Sequence, residues 1–498
     1  MRTLKSIARE RLAASLPRVL SLLDKNPLSA TYGCLDRKYW QYKIIDFPSG
    51  MQQELARVLA WAWAAPESPW HGLARMREYA QAAVRFHARM IHPDGSLDDY
   101  FPYERALGAT GYALAALADA CRLLQWTPDA PTRKALLRSA RFIVQHTETG
   151  LLSNHHAIAV YALAAIGTLC DSPEPLREAR RKAAQLAALQ HEEGWFPEYE
   201  GCDLGYQTVT LEFMARAALI DSALAPDDAV GRLLRFLRAF AHPDGSFGGE
   251  YGSRNTYNFY PGGFALCAGR FTEAREMLGL HLLSVRQGTE NHLGDDGVFG
   301  HMLSSWITVL QAPDDPVLAE ATLPAEQAPN LTVWDGAGLF AGATGRMRIF
   351  GNTTKGGCCK VYDGARLVHS DTGYAGRLAD GTIFCQNKPR ASTATVEGTS
   401  LTVSGRMQRF QSKRLSQVSM LGLRGLCLLF GFIPGFSQAV RYAMQRCSST
   451  TRSRFLWFSR GASPSQRTAS QLRTRSPASR APASPCFTAP RIASTCTL

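Results

Sequence analysis

The chain has 498 residues, 45% of them apolar, enough for two or three domains with sizeable cores, which excludes a disordered or fibrous protein. Its formal charge of +13 would point to an acidic partner, but eight of those charges fall in Cys447–Leu498, which holds eight Arg and no Lys, Asp or Glu. The remaining +5 suits an anionic substrate and removes the main argument for a nucleic acid partner.

The N-terminus, MRTLKSIARERLAASLPRVLSLLDKN, has charges interrupting every apolar run. It lacks the continuous apolar region of a secretory signal and predicts an amphipathic first helix. A cytoplasmic location follows, or a periplasmic one if the true start differs. The twelve Cys form no CxxC pair, so they are expected to be reduced core thiols, with no metal and no cofactor.

A punctuation mark then recurs. HPDGS contains Gly95, HTETG ends at Gly150, HEEGWF contains Gly194, HPDGSF contains Gly245 and GDDGVF contains Gly297, giving steps of 55, 44, 51 and 52 residues. Between the marks lie Ala-, Leu- and Arg-rich stretches with apolar residues at helical spacing, such as ATGYALAALADACRLLQW and RKALLRSARFIVQH. Each unit reads as a helix hairpin whose second helix is closed by the His and Gly of the mark. The expected fold is mainly α, an (α/α) toroid of hairpins, complete or incomplete, over residues 1–310.

A Pro-rich linker is expected over 311–332, because QAPDDPVLAEATLPAEQAPNLT holds four Pro in 22 residues. Short β-type runs separated by Gly follow, including GRMRIFGN and ATVEGTSLTVSG, and predict a partial antiparallel β-sandwich over 333–446. The apolar run from Met420 holds 17 residues with Arg424 and Pro434 inside, too short for a membrane span and suited either to a membrane surface or to a core. From Cys447 the composition turns to Ser, Thr, Arg, Ala and Pro, which predicts a disordered basic tail over 447–498. The β segment stops with too few strands to close a sandwich, which favours a shift of reading frame near Arg446 over a functional tail. Sequencing across those codons tests this, and an intact frame would refute it.

Three places carry candidate chemistry. SNHHAIAVYALAAIG puts Ser153 in N-cap position and Asn154, His155 and His156 in the first turn of a helix. Unpaired backbone N–H groups and the positive end of the helix dipole gather there, favouring a bound carboxylate and a neutral His. One repeat later, EYEGCDLGYQTVTLEF leads through Glu200 and Gly201 to Tyr206, again at a helix start. In the third repeat, GGEYGSRNTYNFYPGGF crowds Glu250, Tyr251, Arg254, Asn255, Tyr257 and Tyr260 into a Gly-flanked loop suited to a sugar ring bearing a carboxylate. Helix capping, core packing and a well-packed loop are the respective alternatives.

An Asn-His pair opening one toroid helix, followed about fifty residues later by EG…Y, resembles the heparinase II/III-type polysaccharide lyases. Lys355–Gly357 (KGG), followed by His369, Asp371 and Gly373, is similar to the K-G-G…H-x-D-x-G segment of that family's sandwich domain. The resemblance covers about residues 90–390 and implies β-elimination on an anionic, uronic-acid-containing polysaccharide or oligosaccharide. It assigns Asn154 to neutralising the substrate carboxylate, His155 and Tyr206 to base and acid, and His369 to assistance from the β-domain. His156, Glu250, Arg254, Tyr257 and Tyr260 are then the expected substrate-binding residues.

The gap between KGG and His369 is longer here than in the compact family form. A non-catalytic carbohydrate-binding protein of exopolysaccharide or capsule production is therefore the main alternative. A terpenoid-cyclase-like toroid shares PDGSF repeats, but its DxDD or DDxxD clusters do not occur. A glycoside hydrolase needs paired carboxylates; Asp98, Asp99 and Glu250 are available, although LDDY reads more simply as a solvated loop.

Overall fold

The structure is a computed structural model. It describes residues 3–146, 148, 151–199, 201–290, 297–313, 323, 325–386, 392–410, 416–433, 436 and, as backbone, 492–497. Gly150, Glu200 and most of the segment from Cys447 lie outside the described residues.

Helix α1 (Leu4–Leu22) is followed by the short α2 (Arg37–Trp40), a 3₁₀ turn over Met51–Leu55 and α3 (Ala56–Ala64). Helix pairs come next: α4 (Ala74–Met90) with α5 (Leu107–Leu123), α6 (Ala130–Gln145) with α7 (Ser153–Leu169), and α8 (Pro173–Ala188) with α9 (Leu204–Ala218). The series ends with α10 (Asp227–Ala239) and α11 (Pro261–Cys267), then α12 (Thr272–Gln287) and α13 (Phe299–Gln311). The pairs form two layers because their helices differ in composition. Outer α8 buries only Pro175, Ala179, Lys182, Ala183 and Leu186, whereas inner α7 buries every residue from Ala157 to Gly167. A helix apolar all round must be enclosed, and each large side chain it buries is worth roughly 1.5–3 kcal/mol. The inner helices pack in sequence, α3 on α5, α5 on α7, α7 on α9, α9 on α11 and α11 on α13. Helix α13 returns to α3 and α1, so the toroid is closed.

The glycine marks serve a different purpose from helix capping. Helix α4 ends at Met90 and α10 at Ala239, several residues ahead of Gly95 and Gly245. Gly95, Gly194 and Gly245 have φ of +96°, +99° and +77°, and a Cβ there would lie 2.2, 2.5 and 2.1 Å from the carbonyl oxygens of Arg138, Arg232 and Leu280. Each mark presses bare backbone against the outer helix of a following repeat, so side chains are excluded both sterically and by φ. Gly33, at φ +93° against the Ala82 carbonyl, does the same on α4 and is a mark the repeat scan misses.

The strands begin with β1 (Glu326–Trp334), which starts within the stretch read as a linker; its pairing shifts register between Glu326 and Asn330, around Pro329. Strands β2 (Leu339–Gly345), β3 (Met347–Asn352), β4 (Cys359–Asp363) and β5 (Arg366–Asp371) complete an antiparallel sheet in the order β1-β2-β3-β4-β5. Strands β6 (Ala375–Arg377) and β7 (Ile383–Cys385) belong to a second sheet, while β8 (Ser392–Glu397) and β9 (Ser400–Gly405) belong to a third. Strand β10 (Gln408–Arg409) adds to the second, giving the order β10-β7-β6. A small core of Phe340, Ile349, Phe384, Leu401, Val403 and Met407 joins the three sheets. In α14 (Gln417–Phe430), Leu421, Leu428 and Leu429 are exposed and only Cys427 is buried. Within the segment expected to be disordered, β11 (Ile492–Thr497) pairs antiparallel with β9. Among the described residues no helix is long and apolar enough to cross a membrane.

The first sheet is fastened to the loops that lead into the inner helices. Trp334 packs on Phe240 at 4.9 Å between ring centroids, and the Glu193 carboxylate accepts the N–H groups of Gly336 and Ala337, both at 3.1 Å. The Asn352 amide donates to the Tyr251 carbonyl at 2.6 Å. Lys355 of the KGG segment donates to the carbonyls of Glu250 and Gly252 and to the side chain of Asn255. This Lys fastens the β-domain to the toroid loop rather than facing a substrate.

Candidate active site

Each connection from an outer to an inner helix delivers the chain to the same end of the ring, so α7, α9, α11 and α13 all begin there. The polar residues of those starts gather around Tyr112, one turn inside α5. Its hydroxyl donates to Asn154 Oδ1 at 2.8 Å. Its ring lies 4.3 Å from His301 and 6.3 Å from His155, centroid to centroid. Tyr112, Tyr260, His301, Glu54, Glu212 and Arg216 line a narrow cavity with room for about one water molecule.

Asn154 does not face open space. It is 0% exposed: its backbone N–H donates to Glu198 Oε1 at 2.5 Å and its Nδ2 to Glu198 Oε2 at 2.8 Å. Ser153 is the first helical residue rather than the cap, and its hydroxyl donates to the Pro197 carbonyl at 2.8 Å. The loop before α9 therefore closes over the start of α7. Burial pushes the Glu198 carboxyl up to about 8, against the lowering effect of the two Asn154 bonds. An unfolded Glu releases its proton near 4.5, so this group contributes stability that is complete below about that pH and is lost as pH rises through about 8. Thermal melts from about pH 5 to 8 should show the midpoint falling, with that part of the slope absent in Glu198→Gln; an identical slope in the variant would remove Glu198 from the explanation.

His155 is oriented by a carboxylate. Its Nδ1 lies 2.7 Å from Glu148 Oε2, the base-plus-orienter pairing that proton transfer uses. The imidazole rests on Gly108, where a Cβ would lie 2.7 Å from its Cε1 and 2.8 Å from its Nε2. Gly108→Ala should displace the ring while gaining helix propensity of up to about 1 kcal/mol. The expected result is a shifted His155 imidazole NMR signal with a nearly unchanged thermal midpoint; an unmoved signal would show that the glycine is not needed for the ring.

Tyr206 sits in the first turn of α9, where Asp203 accepts its N–H at 3.3 Å. Its ring is 5.1 Å from that of Tyr199. Arg254 is exposed and stacks on the Tyr199 ring at 4.3 Å. Burial raises the Tyr206 phenol, while the Tyr199 hydroxyl and the Arg254 charge both work to lower it. Asp203 holds Arg254 in place by accepting its backbone N–H at 2.9 Å.

The other expected site residues are spread more widely. His156 has its pKa lowered by burial and by Lys182, with Glu148 acting in the opposite direction. Glu250 accepts the Tyr257 hydroxyl and lies 3.7 Å from Lys360 Nζ; burial raises its carboxyl, but those partners hold it below its ordinary value. Tyr257 is 39% exposed, whereas Tyr260 is buried against the cavity. His369 is exposed on β5 opposite Val361, and no hydrogen bond or ion pair among the described residues joins it to the toroid. After KGG the chain forms the tight hairpin of β4 and β5, which places His369 on the edge strand of the first sheet. LDDY is not a solvated loop either: Asp98 is buried, accepts the N–H groups of Tyr103 and Arg105 at 2.7 and 3.0 Å, and contacts His92 at 2.8 Å.

Sequence reasoning misses Glu198, Tyr199, Tyr112, Glu148 and the pair formed by Glu54 and His301, whose Oε2 and Nδ1 lie 2.7 Å apart. The signal for His301 was the fifth mark, which places GHM at a helix start. Among the described residues no group of three or more His, Cys, Asp or Glu is arranged to hold a metal ion.

No family model matches the chain, and no curated protein matches it by sequence. Solved structures do. A xanthan lyase from Paenibacillus superposes with a TM-score of 0.52 at 12% identity, covering 82% of this chain and 43% of that one. The chondroitin AC lyase of Streptomyces coelicolor A3, solved with chondroitin sulphate, gives 0.53 at 13% identity, covering 81% and 63%. The chain thus spans less than two thirds of the length of either lyase. Its fold is the polysaccharide-lyase type, an α/α toroid followed by antiparallel β-sheets.

Proposed function

We propose that the protein is a polysaccharide lyase that cleaves a uronic-acid-containing polysaccharide by β-elimination. One observation carries this reading: the Tyr206 phenol, packed against the Tyr199 ring on which the exposed Arg254 guanidinium stacks, and the Glu148-oriented imidazole of His155 both stand at inner-helix starts. In the reaction the C5–H bond breaks and its proton passes to a base, its electron pair forms the C4–C5 double bond, and the C4–O bond breaks. The departing oxygen takes a proton from an acid. Tyr206 and His155 are the acid and base, in the order set by the stereochemistry of the sugar. Arg254 pairs with a substrate carboxylate at the rim. Asn154 acts as a positioning residue that holds Glu198 and Tyr112. The names of the two lyases sharing the fold make anionic polysaccharides such as xanthan and chondroitin the first substrates to try.

A second reading, a carbohydrate-binding protein of exopolysaccharide or capsule production without chemistry, is favoured by the sealed Asn154 carboxamide. Incubation with a panel of uronate polysaccharides separates the two. Ultraviolet absorbance from the new C4–C5 double bond supports the lyase; binding without absorbance on any member supports the second reading.

A further inference from the structure

We propose that α14 is a membrane-docking helix that lays its outward face into the surface of an anionic lipid bilayer; this goes beyond the lyase reading and does not depend on it. Among its 14 residues Arg424 is the one charged side chain. Val418, Leu421, Leu428 and Leu429 recur at helical spacing on one side, and Phe432 extends the row into the turn that follows. Each of the five is at least 64% exposed, which decides against a core role for this apolar run. Single exposed leucines are ordinary, but a continuous apolar row with no hydrogen-bonding side chain in it is a contact surface.

The opposite side of α14 is fastened to the toroid. Cys427 is buried, the Arg424 guanidinium pairs with Asp46 at 2.5 Å and lies 5.6 Å from the Phe47 ring, and Arg105 donates to the Gly431 carbonyl at 3.0 Å. A Cβ on Gly431 would lie 2.7 Å from Tyr103 Cγ, so the chain there rests directly on the loop between α4 and α5. With Arg424 turned to the protein, the outward row is hydrocarbon alone. Charge then identifies the occupant. From Gly398 to Arg446 the chain holds seven Arg and Lys and no Asp or Glu; Lys413 and Arg414 stand directly ahead of the helix, and Arg406 and Arg409 are exposed further upstream. A second copy docking by symmetry would bring these like charges together, whereas anionic headgroups neutralise them. Acyl chains also have no hydrogen-bonding groups to leave unpaired against such a row. A helix of 14 residues is about 21 Å long, too short to cross a hydrocarbon core of about 30 Å, so it lies in the plane of the interface. The loop it rests on leads into α5, so docking brings the end of the ring where the inner helices start to the membrane.

The test is flotation of the full chain with vesicles of phosphatidylcholine alone and with vesicles of phosphatidylcholine and phosphatidylglycerol in equal parts. The wild type should float with the anionic vesicles and far less with the neutral ones, and added salt should weaken its binding. The double variant Leu421→Ser, Leu428→Ser keeps every charge, including the arginines of Cys447–Leu498, and should lower partitioning about 10- to 100-fold with an unchanged melting profile. Val418→Ser, at the most exposed position of the row, should show a smaller loss of the same sign. Undiminished flotation of both variants would mean that basic segments alone hold the lipid, and overturns the proposal. A wild type that stays in the aqueous phase with both vesicles, or floats equally with both, also overturns it. Sedimentation equilibrium without lipid reads the rival occupant: a wild-type dimer that becomes a monomer in the double variant assigns the row to a second copy and overturns the lipid assignment. None of these readouts uses a sugar, so each leaves the lyase reading as it stands.

Discussion

Tyr206→Phe is expected to lower kcat on uronate polysaccharide by about 10² to 10⁴ with little change in KM. The hydroxyl alone is removed, and it is the group whose ionisation the nearby Arg254 charge favours. The ring keeps its contact with Tyr199 and the N–H bond to Asp203, so the melting profile should stay close to that of the wild type. Arg254→Ala should act differently, raising KM more than it lowers kcat, because an exposed guanidinium contributes to binding in ground and transition state alike. Steady-state kinetics on the best substrate of the panel provide both numbers. Full activity in Tyr206→Phe would take the phenol out of the mechanism.

Asp119→Ala is expected to destabilise the protein by about 3–5 kcal/mol, measured by urea unfolding. Asp119, on α5, binds Arg57 of α3 at 3.0 Å, Arg122 at 2.9 Å and Arg216 of α9, and accepts the Tyr161 hydroxyl of α7 at 2.6 Å. Arg57 and Arg216 are 0% and 3% exposed at their side chains, so removing the carboxylate leaves two guanidiniums without water or their main anion. The remaining partners of Arg57 are mostly neutral: the Ser304 carbonyl and hydroxyl and the side chains of Thr308 and Gln311, with Glu212 as a nearby charge. A loss below about 1 kcal/mol would mean that these groups carry the arginines on their own.

Several features of the site were legible before the structure. Asn154, His155 and Tyr206 were placed at helix starts because the apolar spacing behind each of them is helical and a Gly mark precedes it. The choice between Glu198 and Glu200 was not legible: both stand in EYEGCDLG, and only the fold of that loop over α7 brings Glu198 onto Asn154. The place of His369 on the edge strand β5 was not legible, because a motif order says nothing about which edge of a sheet a strand will occupy. The Lys of KGG joins two domains through the carbonyls of Glu250 and Gly252, a contact that its motif does not reveal.

The amino-acid order by itself determined the helix pairs, their mostly even repeat and the change to strands, since these follow from short-range periodicity and turn chemistry. Ring closure was beyond it. Only the tertiary structure sets Glu54 against His301, Asp119 among three arginines and Glu198 against Asn154, because each pairing joins residues whose distance is decided by how inner helices pack rather than by neighbours in the chain. For a buried ionisable group, the identity of that partner decides whether it is charged, and so whether it anchors the fold or acts on a substrate.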